Sequence, residues 1–125
     1  PWPPKGRDLE RILATEGGKL LAEIIPEWTR GRVVRREQDH TQATYCKKFV
    51  PNDAFIDLSQ DAEKNFRKIQ AFDRSPRAHF FVEKNGKKMR VIITDAAVEG
   101  DQLVIKRVLP EGKKEMPYED FVRGN

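Results

Sequence analysis

The stretch His79-Phe80-Phe81-Val82-Glu83-Lys84-Asn85-Gly86-Lys87-Lys88-Met89-Arg90-Val91-Ile92-Ile93-Thr94 decides the fold. Residues 79 to 83 read as a strand, and residues 89 to 94, rich in β-branched side chains, read as its returning partner. Asn85-Gly86 between them is a strong two-residue hairpin signal, because the tight turns that match strand twist need positive φ at their centre. Glu99-Gly100-Asp101 marks a further turn, and residues 102 to 108 a third strand. The chain then runs through Pro110-Glu111-Gly112 and closes on a short helix over residues 117 to 122, with proline in its first turn.

Working back from the hairpin, Ala62, Phe66, Ile69 and Phe72 recur at helical spacing and predict a helix, with Ser59 as its N-cap. Pro76 pushes Ser75 out of the helical region, so this helix ends over residues 73 to 76. Pro51-Asn52-Asp53 is a turn, and residues 43 to 49 read as a short extended segment. Residues 27 to 43 lose apolar periodicity and read as a linker. Before it, Leu9, Ile12, Leu13, Leu20, Leu21, Ile24 and Ile25 line one face of a helix over residues 8 to 25, capped by Asp8 and stopped by Pro26. Gly17 and Gly18 weaken it by about 1 kcal/mol each. So large an apolar face needs a partner surface. The predicted class is α+β: an amphipathic helix and linker, then a helix packed on a small antiparallel β-sheet.

The chain has 125 residues, room for one compact domain and an appended element. No run approaches the roughly 20 apolar residues that span a bilayer. Pro1-Trp2-Pro3-Pro4-Lys5-Gly6 lacks the apolar core of a signal peptide, and the missing initiator Met suggests an excised fragment. Cys46 is the only cysteine, which excludes an internal disulfide, fits a reducing compartment, and reads as a half-buried filler rather than a nucleophile. There are 24 Lys and Arg against 20 Asp and Glu, and the cations cluster: Arg30, Arg32, Arg35 and Arg36, then Lys47 and Lys48, then residues 67 to 90. Repeated basic clusters suit a phosphate backbone, since each neutralised phosphate releases counterions.

Several segments, in order, resemble the carboxy-terminal region of methionyl-tRNA formyltransferases. Residues 38 to 45, Gln38-Asp39-His40-Thr41-Gln42-Ala43-Thr44-Tyr45, are similar to its opening Q-D-x-x-x-A-T-Y. Ile56-Asp57-Leu58-Ser59 followed by Ala62-Glu63 resembles I-D-W-S-x-x-A-E, and Ile69-Gln70-Ala71-Phe72-Asp73 resembles the helix that follows. Pro110-Glu111-Gly112-Lys113-Lys114-Glu115-Met116 and Phe121-Val122-Arg123-Gly124 resemble the terminal P-E-G-K-K-x-M and D-F-L-R-G. The sequence departs at Leu58, where the family has tryptophan, at residues 73 to 76 in place of N-P-W-P, and in the shorter stretch between the hairpin and P-E-G-K-K.

The resemblance implies an open, abbreviated barrel of the oligonucleotide-binding type over residues 38–125, with residues 1–37 as the last helix of a catalytic domain plus linker. It implies a cytoplasmic enzyme that formylates initiator methionyl-tRNA from 10-formyltetrahydrofolate with an Asn, a His and an Asp that lie in that other domain. The partners it implies are the tRNA and the chain's own catalytic domain, with no membrane. No catalytic, metal-ligating or cofactor-binding set is expected in this chain: His40 reads as a solvated linker residue and His79 as a packing residue. What remains is RNA binding, for which the candidates are Lys47, Lys48, Arg67, Lys68, Arg74, Arg77, Lys87, Lys88 and Arg90. Phe80 and Phe81 are adjacent, so one points outward in a regular strand; packing under the helix is its expected use, and the scarcity of exposed aromatics argues against base stacking. The other readings are a structural module that touches no RNA, as in a formyltetrahydrofolate dehydrogenase or a sugar formyltransferase, and a free-standing RNA-binding protein.

Overall fold

The computed structural model describes residues 2–84 and 86–124, so Asn85 of the expected hairpin turn lies outside the described residues. The chain divides into two compact units, one of residues 8–48 and one that joins the first seven residues to residues 49–125.

The unit of residues 8–48 is built on helix α1, Gly6–Thr29, which leaves no residue buried and has Leu13, Leu20, Leu21 and Trp28 among its exposed apolar side chains. Both expected ends move outward. Asp8 sits inside the first turn, where its charge suits the helix dipole, rather than at the cap. Pro26 does not stop the helix, which runs on to Thr29 although proline has no N–H to donate and its ring crowds the carbonyl four residues back. Closure falls to Gly31, whose φ of +69° turns the chain while its N–H donates to the Trp28 carbonyl at 3.0 Å. Residues 32–39 carry no regular element. Asp39 then caps a single 3-10 turn, His40–Gln42, its carboxylate accepting from the N–H and the hydroxyl of Thr41. Residues 43–50 join no strand, and Cys46 within them is exposed rather than half-buried.

The second unit holds the core. A 3-10 turn, Pro51–Ala54, leads to helix α2, Ala62–Ala71. The cap of α2 is Asp61, which accepts from the Lys64 N–H at 2.8 Å; Ser59 is held instead in a turn by Asp57, whose carboxylate takes both its N–H and its hydroxyl. Residues 3–7 pack on the other end of α2, so closely that a Cβ on Gly6 would lie 3.0 Å from the Ala71 carbonyl.

Strands β1 (His79–Lys84), β2 (Lys87–Glu99), β3 (Gln102–Pro110) and β4 (Met116–Pro117) form one antiparallel sheet in chain order, and helix α3, Tyr118–Arg123, follows. The α+β class stands. The sheet is not closed into a barrel: β4 pairs with β3 over two residue pairs, and among the described residues β1 and β4 do not meet. The register of β2 on β3 shifts on either side of Asp95, an irregularity of the kind that bends a strand. One face of the sheet carries Phe80, Val91, Ile93 and Val108, which close with Ile56 and Ile69 of the α2 layer and Phe121 of α3 into the core. Each such side chain contributes roughly 1.5–3 kcal/mol by leaving water. Among the described residues, no helix is long and apolar enough to cross a membrane.

Candidate nucleic-acid interface

A strand puts alternate side chains on opposite faces. With Phe80 and Val91 inside, the facing residues of the first hairpin on the outer side are His79 opposite Ile92, Phe81 opposite Arg90 and Glu83 opposite Lys88. Phe80 is 5% exposed and Phe81 39%, so the expectation that the second phenylalanine packs under the helix is corrected by strand phase alone. Phe55 is placed beside this row by a parallel bridge to His79, with the Ile56 N–H donating to the His79 carbonyl at 2.7 Å. Its ring lies 6.1 Å from that of Phe81 at an interplanar angle of 26°, and both stand edge-on to the imidazole of His79.

Three cations converge on this aromatic trio. The Lys88 ammonium stands 4.3 Å above the centre of the Phe81 ring, a cation–π contact. Lys68 reaches over from α2 and donates to the Phe55 carbonyl at 2.8 Å. Arg90 donates through Nη2 to the Arg77 carbonyl at 3.1 Å, and Nη2 lies 3.2 Å from Nδ1 of His79. With its proton on Nδ1, His79 donates to the same carbonyl at 2.9 Å. Burial holds the imidazole pKa below its ordinary value; the hydrogen bond to Arg77 opposes this, and the charges of Arg90 and Lys68 reinforce it. His79 is therefore a neutral, packed residue. Glu83 and Glu111 lie at the margins, the latter accepting from the Arg90 N–H at 3.3 Å. Arg90 also lines a hollow of about 280 Å³ with Ile92, Leu109, Pro110 and residues 111–113.

Of the nine cations singled out in the sequence, Lys68, Lys88 and Arg90 are brought together here. Arg67, one residue from Lys68, turns away and pairs with Glu63 at 3.0 Å. Lys87 is exposed near the hairpin end, opposite Lys84. Arg74 is exposed in the loop after α2. Lys47 and Lys48 are exposed in the other unit, outside any regular element. The side chain of Arg77 points to a separate polar cleft of about 450 Å³ that it shares with Lys5, Arg7, Arg107, Asp73 and Glu115. That cleft is largely neutralised from within: Arg7 pairs with Asp73 at 3.3 Å and Arg107 with Glu115 at 3.1 Å. The hydroxyl of Thr94 and the guanidinium of Arg107 hold the Glu115 carboxyl below its ordinary pKa. Phe55 and Phe81 were missed as surface residues; the phase of Phe80 with Val82, Met89 and Val91 was the signal for Phe81, whereas the placement of Phe55 rests on a bridge across 24 residues of chain.

Residues 48–102, which hold every member of this cluster, match the family of the formyl transferase C-terminal domain. This chain belongs to that family. It is similar to the methionyl-tRNA formyltransferase of Thermotoga neapolitana, 36% identical over 66% of this chain and 26% of that protein. It is 32% identical to the methionyl-tRNA formyltransferase of Desulfotalea psychrophila over 90% of this chain and 41% of that protein. To that of Roseiflexus castenholzii it is 29% identical over 99% of this chain and 47% of the relative. A formyl transferase C-terminal domain is thus what the open sheet and its helices make up, and the chain spans less than half the length of these curated relatives.

Proposed function

We propose that this chain is the carboxy-terminal part of a methionyl-tRNA formyltransferase and that its work is to hold tRNA by the phosphate backbone. Formyl transfer from 10-formyltetrahydrofolate belongs, in this reading, to a catalytic domain elsewhere in the polypeptide. The observation that carries it is the convergence of Lys68, Lys88 and Arg90 around the Phe55–His79–Phe81 cluster at the β1 edge of the sheet. Cations on a rigid strand and helix hold a fixed spacing, which suits repeated contact with a polyanion. Lys87 and Arg74, exposed nearby in the chain, extend the positive charge, and the Lys47-Lys48 pair stands immediately before the second unit in sequence. Such contacts position an RNA and read little of its sequence.

The same reading assigns residues 1–37 to the terminal helix of the catalytic domain and its linker, and residues 38–125 to the tRNA-binding domain. Support comes from α1, in which no residue is buried and which keeps Leu13, Leu21 and Ile25 at least half exposed. Apolar side chains left in water along one helix face call for a covering surface. The protein of which this is part would work in the cytoplasm, in translation initiation.

Charge reversal tests the proposal. Lys68→Glu with Lys88→Glu should weaken binding of initiator and elongator tRNAs by the same factor, measured by filter binding at low salt. Unchanged affinity in the double variant would remove this face from the interaction.

A further inference from the structure

We propose that Phe55 and Phe81 form a stacking platform for unpaired nucleobases, so that this face engages a single-stranded stretch of RNA in addition to backbone phosphates. The inference rests on the RNA-holding reading above and names the kind of RNA the face takes. The two rings are near-parallel, 6.1 Å apart and 37% and 39% exposed, so each keeps accessible π-surface. Cations surround them: Lys88 over Phe81, Arg90 opposite Phe81 in register, and Lys68 on the Phe55 carbonyl. An apolar patch ringed by positive charge is complementary to a ligand with flat apolar groups on an anionic thread, which describes an unpaired nucleotide run. A duplex does not answer to it, since its bases are already stacked inside and its phosphates face outward. Arg90 also lines the neighbouring hollow, together with Ile92, Leu109, Pro110 and the turn of residues 111–113, so a second base has a partly apolar seat beside the guanidinium. The contact of Lys88 with Phe81 is solvent-exposed, and such contacts are weak. The ammonium can swing to a phosphate and leave the ring to a base. Glu83 and Glu111 bound the patch and discourage a duplex from lying flat across the sheet.

The test compares two RNAs on the full 125-residue chain: a blunt hairpin duplex, and the same duplex with a short unpaired 3′ tail carrying 2-aminopurine. The tailed RNA should bind more tightly, with its 2-aminopurine fluorescence changed on binding. Phe81→Ala should cost roughly tenfold in tailed-RNA affinity, the value of about one stacked base, and clearly less in blunt-duplex affinity, so that the preference for the tail is lost. Phe81→Leu, which keeps apolar bulk without a π-face, should behave likewise, and thermal melting of both variants checks that the fold is kept. Equal affinity of the native chain for both RNAs, or tailed-RNA affinity unmoved in both variants, would overturn the platform while leaving phosphate holding intact. Failure to bind either RNA at low salt would overturn the RNA-holding reading itself, and the platform with it.

Discussion

The two faces of one sheet differ sharply although the same strands build them. The inner face is apolar and sealed: Val91 and Val108 are fully buried and Phe80 nearly so, under α2 and α3. The outer face, one residue out of phase, carries Phe81, Lys88 and Arg90. Alternation alone sets a sealed apolar face against an exposed cationic one, so if the exposed face holds RNA as proposed, stability and binding are separable by residue parity.

The largest effect expected is on the inner face. Phe121→Ala removes a ring that is 5% exposed and should cost about 3–5 kcal/mol, read as a shift in the denaturant midpoint. A comparable loss from Phe81→Ala, whose ring is 39% exposed, would break the contrast between faces. Next comes Lys68→Glu with Lys88→Glu, expected to lower the slope of log affinity against log salt by about two phosphates' worth with little change in melting temperature. Asp61→Ala sharpens the comparison from the other side. It deletes the cap of the helix that covers the inner face, so it should cost about 1 kcal/mol of stability by chemical denaturation and leave RNA affinity alone.

The smallest effect is a pH dependence. Since burial lowers the pKa of His79 in the folded chain, the unfolded chain binds more protons between that lowered value and the ordinary histidine value of about 6.5. Stability is therefore complete above about 6.5 and declines as pH falls through the folded value. Urea denaturation at a series of pH values should show this decline in the native chain and a flatter profile in His79→Asn; identical profiles would show that the histidine is not linked to folding.

Much of this fold was legible because it rests on local signals. Strong β-branched runs and turn residues gave β1 and β3 to within about two residues and the middle of β2, which runs on past Thr94 to Glu99, and the Ala62-Phe66-Ile69 stripe gave α2. What escaped depended on context. Helix α1 runs through Pro26 despite the bond that proline forfeits, and Ser59 lost the cap to Asp61 because Asp57 had already engaged it. The two-residue β4 has no periodicity to read; it exists through pairing with Arg107 and Val108. The cations were legible as a pool of nine candidates, but their sorting into a converging trio, a self-neutralised cleft and scattered surface charge follows from register and from the Phe55–His79 bridge. Composition carries none of that information.

If the outward face holds RNA through its phosphates, affinity must fall steeply with ionic strength. Titrating the chain with methionyl initiator tRNA from about 50 to 200 mM salt should give a straight log–log line whose slope corresponds to several phosphates at about 0.9 each. A flat line, or no binding at the lowest salt, would show that phosphates are not what this face holds.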